Sequence, residues 1–109
     1  MKMKKCFFIA LLFPFVLFSQ NEDETLTKAN AKQAEDKMLA GDYEDALTDF
    51  IALHAADPQN EKINYNIAVC YLNYNGNKTK AIPYLEKIIH NPKHDPNADY
   101  LLARAYQYG

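Results

Sequence analysis

The sequence predicts an all-α protein built from antiparallel helical hairpins, stacked as a solenoid of about two and a half repeats. Apolar residues recur at the three- and four-residue spacing of an amphipathic helix, and no segment sustains the alternation of a strand. Most glycines and prolines after residue 19 fall in short breaks between these apolar series, where turns are expected. The clearest series are Ala46, Leu47, Phe50, Ile51 and Leu53, and then Ala81, Ile82, Leu85, Ile88 and Ile89.

Residues 1–19 have the three-part layout of a secretory signal peptide. Basic residues come first, an apolar run follows and ends at Phe18, and the small residue Ser19 precedes polar Gln20. A transmembrane helix needs about 20 apolar residues, whereas this run is shorter and contains Pro14. We therefore expect cleavage after Ser19 and export of the mature protein.

The charge of the expected mature chain argues against one class of partner. Three of the 12 Lys and Arg residues lie in the signal peptide, which contains none of the 14 Asp and Glu residues, so the net charge falls from −2 to −5 on cleavage. Binding to a nucleic-acid backbone needs a basic patch, and we expect no nucleic-acid partner. Part of the acidic excess forms a solvated leader over residues 20–26.

Cys70 is the only cysteine that remains after cleavage, so no internal disulfide is expected. Its neighbours Ile67, Ala68, Val69 and Tyr71 are apolar or aromatic, and cysteine in such a setting usually packs as a small hydrophobe. A catalytic thiol needs a nearby histidine and an electropositive setting. We therefore predict that Cys70 belongs to the core.

Helix boundaries can be predicted from residues with known local preferences. Asp42, with Asp45 three residues later, is expected to cap the helix that follows. Pro58 ends that helix because the residue before proline is driven out of the helical region. Pro83 is tolerated only in the first turn of a helix, so the helix that contains it should begin near residue 79 or 80.

The chain repeats itself with an offset of 35 residues. Residues 64–71 fall on residues 99–106, and Asp42, Ala46, Leu47 and Phe50 fall on Asn77, Ala81, Ile82 and Leu85. Such a period indicates stacked units of supersecondary structure, which we place at residues 27–60, 61–95 and an incomplete 96–109. Small residues are expected to allow close helix approach, with an aromatic residue beside each; these are Ala68 with Tyr71, and Ala103 with Tyr106.

These residues resemble the tetratricopeptide repeat. The turn and second helix of the family match residues 41–47, with the sequence GDYEDAL, followed by Phe50, Leu53 and Pro58. The second unit matches through Ile67, Ala68, Tyr71, Ala81, Leu85 and Ile88. The first helix, about residues 27–40, departs from the family in having Gln33 and Lys37 where a large aliphatic and an aromatic residue are preferred. The resemblance implies a helical solenoid that binds a protein or peptide partner.

Residues 63–72 and 80–87 resemble, more narrowly, the amino-terminal repeats of exported envelope proteins of Bacteroidota. In those proteins an OmpA-type peptidoglycan-binding domain commonly follows, and some members serve secretion or gliding. This likeness implies a periplasmic or outer-membrane-associated location. It also implies an alternative in which the chain is the amino-terminal fragment of a larger protein, anchored to outer membrane or peptidoglycan through domains beyond Gly109.

The sequence predicts no enzyme, cofactor or metal site. The few glycines cannot form a phosphate-binding loop, and the carboxylates fall mainly on predicted solvent faces. His90 and His94 are four residues apart, as zinc ligands on one helix face are, but Asn91 and Pro92 interrupt the helix between them.

A partner surface can be assigned from the resemblance, because the first helices of successive tetratricopeptide repeats line the concave side of the solenoid. On the second repeat, the positions that face away from the packing edge share one helix face by their spacing. Tyrosines beside Asn and Arg have the composition of an interaction hot spot, although Tyr65 and Tyr100 could equally pack between neighbouring hairpins. The predicted surface comprises Lys28, Lys32, Glu35, Tyr65, Asn66, Val69, Asn73, Tyr100, Leu101, Arg104 and Tyr108.

Overall fold

The computed structural model of the protein describes residues 26–74 and 76–109, so the predicted signal peptide and nearly all of the acidic leader lie outside the described residues. The described chain is helical and contains no strand, which confirms the predicted all-α class. None of its helices is both long and apolar enough to cross a membrane. The elements are α1 over residues 26–39, α2 over Tyr43–Ala56, α3 over Glu61–Asn73, a 3-10 turn over Lys78–Ala81, α4 over Ile82–Ile89 and α5 over Pro96–Gln107.

Helix α3 lies at the centre of the fold. It packs against α2 on one side and against α4 and α5 on the other, and its side chains enter two separate clusters of buried residues. The first core lies between α1, α2 and α3 and comprises Ala34, Ala46, Leu47, Phe50, Leu53, Ile63, Ile67 and Cys70. The second core lies between α3, α4 and α5 and comprises Ala68, Leu72, Ala81, Leu85, Ile88, Ala98, Leu101, Leu102 and Ala105.

The structure confirms the predicted effects of both prolines. Helix α2 ends at Ala56, immediately before Asp57 and Pro58. Pro83 lies in the first turn of α4, which begins at Ile82, where its missing N–H has no intrahelical partner in any case. The predicted start near residue 79 or 80 falls within the 3-10 turn that leads into α4.

The capping prediction for Asp42 is wrong, because its side chain accepts no hydrogen bond from α2. Asp42 has ψ 63°, outside the extended conformation that directs a capping side chain back to the helix. The turn before α2 depends instead on Gly41, whose φ of 89° favours glycine. The observed side-chain caps of the long helices are Asn60, which accepts from the Ile63 amide at 3.1 Å, and Asp95, which accepts from the Asn97 amide at 2.9 Å.

The close packing predicted for Ala68 with Tyr71 and for Ala103 with Tyr106 is present only in the second repeat. Ala68 is fully buried beneath α4, whereas its equivalent Ala103 is exposed. Tyr71 is half-buried with its ring centroid 6.0 Å from that of Tyr84. Its equivalent Tyr106 is largely exposed, and no described helix lies over α5 as α4 lies over α3.

Candidate partner-binding surface

The predicted surface is centred on α3 and α5, the first helices of two successive hairpins. These helices are direct neighbours, and their amino-terminal ends lie together, since Glu61, Lys62 and Tyr65 at the start of α3 line one pocket with Asp95, the residue before α5. Each helix presents a row of residues at four-residue spacing, which places them on one helix face. We call the two rows together the α3–α5 face; it comprises Tyr65, Val69 and Asn73 on α3, and Tyr100 and Arg104 on α5 with Tyr108 directly after the last residue of that helix.

On the α3 row, Tyr65 and Val69 are half-buried and pack against the second core. Burial raises the pKa of the Tyr65 phenol, and the negative charge of Asp95 raises it further, while the hydrogen bond with Asn97 opposes these effects. Asn73 is exposed, and its side-chain amide donates to the Val69 carbonyl oxygen at 2.8 Å. Tyr65 therefore contributes to packing between the hairpins as well as to the face.

The tyrosine side chains of the α5 row are more exposed than the Tyr65 and Val69 side chains of the α3 row. Tyr100 is 64% exposed and Tyr108 is 50% exposed. The ammonium nitrogen of Lys78, in the 3-10 turn, lies 5.5 Å from the centroid of the Tyr108 ring, within reach of a cation–π interaction. Arg104 lies between the two tyrosines and is half-buried.

Helix α1 extends the surface with charged residues. Lys28 and Lys32 are exposed, and Lys32 pairs with Asp36 one turn later at 3.3 Å. Glu35 forms an ion pair with Lys62 of α3, whose Nζ atom lies 2.8 Å from a Glu35 carboxylate oxygen. This pair links the first helices of the first two hairpins. Such exposed pairs contribute little stability. A partner could therefore replace them at little cost in the stability of the fold.

Two residues of the predicted surface are buried. Leu101 is 8% exposed and belongs to the second core, because the apolar face of α5 is wide enough to include it beside Leu102. Asn66 is 6% exposed, and its side chain makes no hydrogen bond with any described residue. The α3–α5 face is therefore narrower than the sequence suggests.

A shallow pocket of ≈ 290 Å³ lies between the amino-terminal ends of α3 and α5, lined by Glu61, Lys62, Tyr65 and Asp95. The sequence argument included only Tyr65 of these four residues. Lys62 could have been found by extending the helical spacing one turn before Asn66. The contribution of Asp95 and of Lys78 depends on the docking of α5 against the turns, which sequence spacing does not specify.

The titratable groups elsewhere in the described chain occupy structural positions. Cys70 is fully buried, as predicted, and burial raises the pKa of its thiol to about 11. His94 lies in the turn after α4, with its ring nitrogens 2.6 Å from the Asn91 carbonyl oxygen and 2.8 Å from an Asp99 carboxylate oxygen. Within residues 26–74 and 76–109 no three His, Cys, Asp or Glu side chains are placed to hold a metal ion.

Consecutive helical hairpins with an exposed face on their first helices define a helical-repeat protein. A family model for the tetratricopeptide repeat matches residues 37–105, more than half of the chain. The chain therefore belongs to the tetratricopeptide repeat family, whose repeats are non-catalytic scaffolds for protein–protein interaction. No curated protein and no solved structure gives a significant match.

Proposed function

We propose that this chain is an exported tetratricopeptide-repeat scaffold that holds a protein or peptide partner against the α3–α5 face. The observation that carries the proposal is the pair of exposed tyrosines, Tyr100 and Tyr108, one turn on either side of Arg104. Tyrosine and arginine are enriched in interaction hot spots, where rigid aromatic area and multiple donors combine. The charged residues of α1 extend the face and provide a polar rim.

Site-specific photo-crosslinking in the host cell tests this surface. A photoreactive residue at position 100 should give a discrete crosslinked product, because Tyr100 is 64% exposed on the face. The matched control places the same residue at position 51 of α2, where Ile51 is also exposed but lies off the face. Equal products from positions 51 and 100, or none from position 100, would refute the assignment. Loss of the product on Tyr108→Ala, with the helical signal retained, would support it.

Export is proposed from the layout of residues 1–19. Mass spectrometry of the protein from the host should find Gln20 as the amino terminus, cyclised in some molecules. Recovery of chains that retain Met1 in the membrane fraction would contradict cleavage. The periplasmic or outer-membrane-associated location follows only if cleavage is observed.

A second candidate is that the chain forms the amino-terminal part of a larger OmpA-type envelope protein that is anchored to peptidoglycan and serves secretion or gliding. The exposed Ala103 and Tyr106 favour a further helix over α5, since their equivalents Ala68 and Tyr71 pack against α4. Determining the coding sequence after the codon for Gly109 separates the candidates. An OmpA-type domain would support the second candidate. Further helical repeats alone would support the first candidate, a scaffold that only binds a partner.

A further inference from the structure

We propose that the partner segment held on the α3–α5 face carries an aspartate or glutamate side chain that pairs with the guanidinium group of Arg104. This inference rests on the proposed function and specifies the chemistry of the partner. It predicts an extended segment in which one acidic residue is flanked by aromatic or aliphatic residues. The acidic residue contacts Arg104, and its neighbours contact Tyr100 and Tyr108.

The first argument is that Arg104 is half-buried without a counter-ion. Its side chain forms no ion pair or hydrogen bond with any residue that the structure describes. Three lysines on α1 and α3 differ in this respect, because Lys32, Lys37 and Lys62 lie 3.3, 2.7 and 2.8 Å from carboxylate oxygens. A partly desolvated cation without a partner gains more from an incoming carboxylate than an exposed one does.

The carboxylates of α4 and α5 have partners other than Arg104. Glu86 accepts a hydrogen bond from the Tyr106 hydroxyl at 2.8 Å. Asp99 lies 2.8 Å from the Nε2 atom of His94.

The second argument is that packing does not require arginine at this position. The residue that precedes Arg104 by one repeat is Val69, which packs against the second core at the same helix position. The third repeat thus has a cation where the second has an aliphatic side chain. A guanidinium presents a planar set of donors that matches both oxygens of a carboxylate, and a partner that covers Tyr100 and Tyr108 would exclude water from that contact.

A third observation concerns Asn66, a residue that is 6% exposed and whose side chain has no hydrogen-bond partner among the described residues. Buried polar side chains are nearly always hydrogen-bonded. Asn66 is three residues from Val69 and seven from Asn73, so it borders the α3 row of the face at the edge of the buried residues. Its amide can donate to and accept from the backbone of an extended segment, which favours a peptide over a small anion.

One carboxylate fits the α3–α5 face better than a phosphate polymer does. A nucleic-acid backbone requires several free cations in a row. The α3 row has none, and the Lys78 ammonium group already donates to the carbonyl oxygens of Leu72 and Tyr74 at 3.1 and 3.0 Å. The acidic balance of the chain also opposes a polyanion.

Selection from a library of random octapeptides, followed by affinity measurement, tests the proposal. The purified chain is used as bait beside a Tyr100→Ala, Tyr108→Ala double variant. One enriched peptide is synthesised with its acidic residue, with the corresponding amide (Asn for Asp, Gln for Glu), and with phosphoserine at that position. We expect the chain to bind the acidic peptide roughly tenfold or more tightly than the amide peptide, since hydrogen bonds to charged groups are the stronger ones. Arg104→Gln should abolish this preference, and Arg104→Lys should retain part of it.

The outcomes separate the proposal from the function on which it rests. Equal enrichment by the chain and by the double tyrosine variant would refute the binding face itself. Enriched peptides without a preference for the acidic form would leave the face in place and refute the role of Arg104. A preference that survives Arg104→Gln, or tighter Arg104-dependent binding of the phosphoserine peptide, would also overturn the proposal. Circular dichroism of each variant checks that the helices are retained. We expect them to be, because Tyr100 and Tyr108 are at least half exposed.

Discussion

Ala68 and Ala103 occupy the same position in successive repeats, yet the structure predicts opposite responses to enlargement. Ala68 is fully buried in the second core with Leu72 and Leu85, so a leucine there has no free volume to enter. Ala103 is exposed on α5. The paired substitutions Ala68→Leu and Ala103→Leu add the same three carbon atoms at equivalent helix positions, and each therefore controls for the change in helix propensity of the other.

The expected magnitudes follow from burial. Overpacking a dense core costs about 1–3 kcal/mol, and for a chain of this size each kcal/mol lowers Tm by about 4–8 °C. Ala68→Leu should therefore lower Tm by roughly 4–24 °C. Ala103→Leu should change the free energy of unfolding by less than about 0.5 kcal/mol, as exposed substitutions usually do.

Thermal unfolding followed by circular dichroism, at two protein concentrations, distinguishes the alternatives. A comparable loss of Tm in both variants would show that the outer surface of α5 is covered in solution, against the structure described above. Unchanged stability in both would refute the close approach of α3 and α4 at Ala68. A concentration-dependent Tm for Ala103→Leu alone would indicate that leucine at this site promotes self-association.

Three further predictions concern the caps, a histidine and the buried thiol. Asn60→Ala should lower stability by about 1 kcal/mol because its side chain caps α3, whereas Asp42→Ala, which removes no capping bond, should cost clearly less in the same urea titration; equal costs would contradict the capping assignment. His94 has its pKa raised, mainly by the hydrogen bond to Asp99 and then by that to the Asn91 carbonyl, so its stabilising contribution is complete below the unfolded pKa of about 6.5 and is lost as pH rises through the higher folded pKa. The Tm difference between the parent chain and His94→Gln should accordingly shrink from pH 5.5 to pH 9, while exposed His90→Gln serves as the control; a difference that grows with pH would refute the sign. Cys70, with its thiol pKa raised to about 11 by burial, should resist iodoacetamide at pH 8 until denaturant is added, and rapid labelling of the folded chain would show that the first core opens readily.

The sequence predicted the helices well because their ends depend on local chemistry. Proline fixes its own backbone and restricts the residue before it, so Pro58 and Pro83 located one helix end and one helix start. The choice of capping residue was less predictable. Asp42 has the composition of a cap but not the conformation, whereas Asn60 has ψ 114° and directs its side chain to the Ile63 amide.

Individual burial was harder to predict than helix position. Ile51 follows buried Phe50 in the apolar series, yet it is 42% exposed because adjacent residues point about 100° apart around the helix. Asn64 has the opposite outcome. It is buried although it is polar, because its side-chain amide donates to the carbonyl oxygens of Pro58 and Asn60 at 3.1 and 2.9 Å. These two bonds depend on the shape of a turn, which residue spacing does not encode, and they leave the buried Oδ1 atom of Asn64 without a partner among the described residues.

The exposure of the candidate surface residues was predicted for some and not for others, for the same reason. Spacing placed Tyr100, Arg104 and Tyr108 in one row, and the structure leaves the two tyrosines exposed and Arg104 half-buried. It also included Leu101, which lies next to Tyr100 in sequence but faces the second core. The limit between the core face and the partner face of a helix is set by the width of the neighbouring helix, and a sequence pattern from one helix does not contain that width.

Helices α3 and α5 differ in how much of their surface is buried, and this difference determines which residues can test binding without disturbing the fold. Helix α3 contacts α2, α4 and α5, so most of its faces are buried in the two cores. Even Tyr65 packs against the second core. Replacement of Tyr65 would therefore combine a loss of packing with any loss of binding. Helix α5 commits only one side to the second core, which leaves Tyr100 and Tyr108 exposed on the other. Binding and stability should thus be separable on α5, and substitutions there give the clearer measure of what this surface recognises.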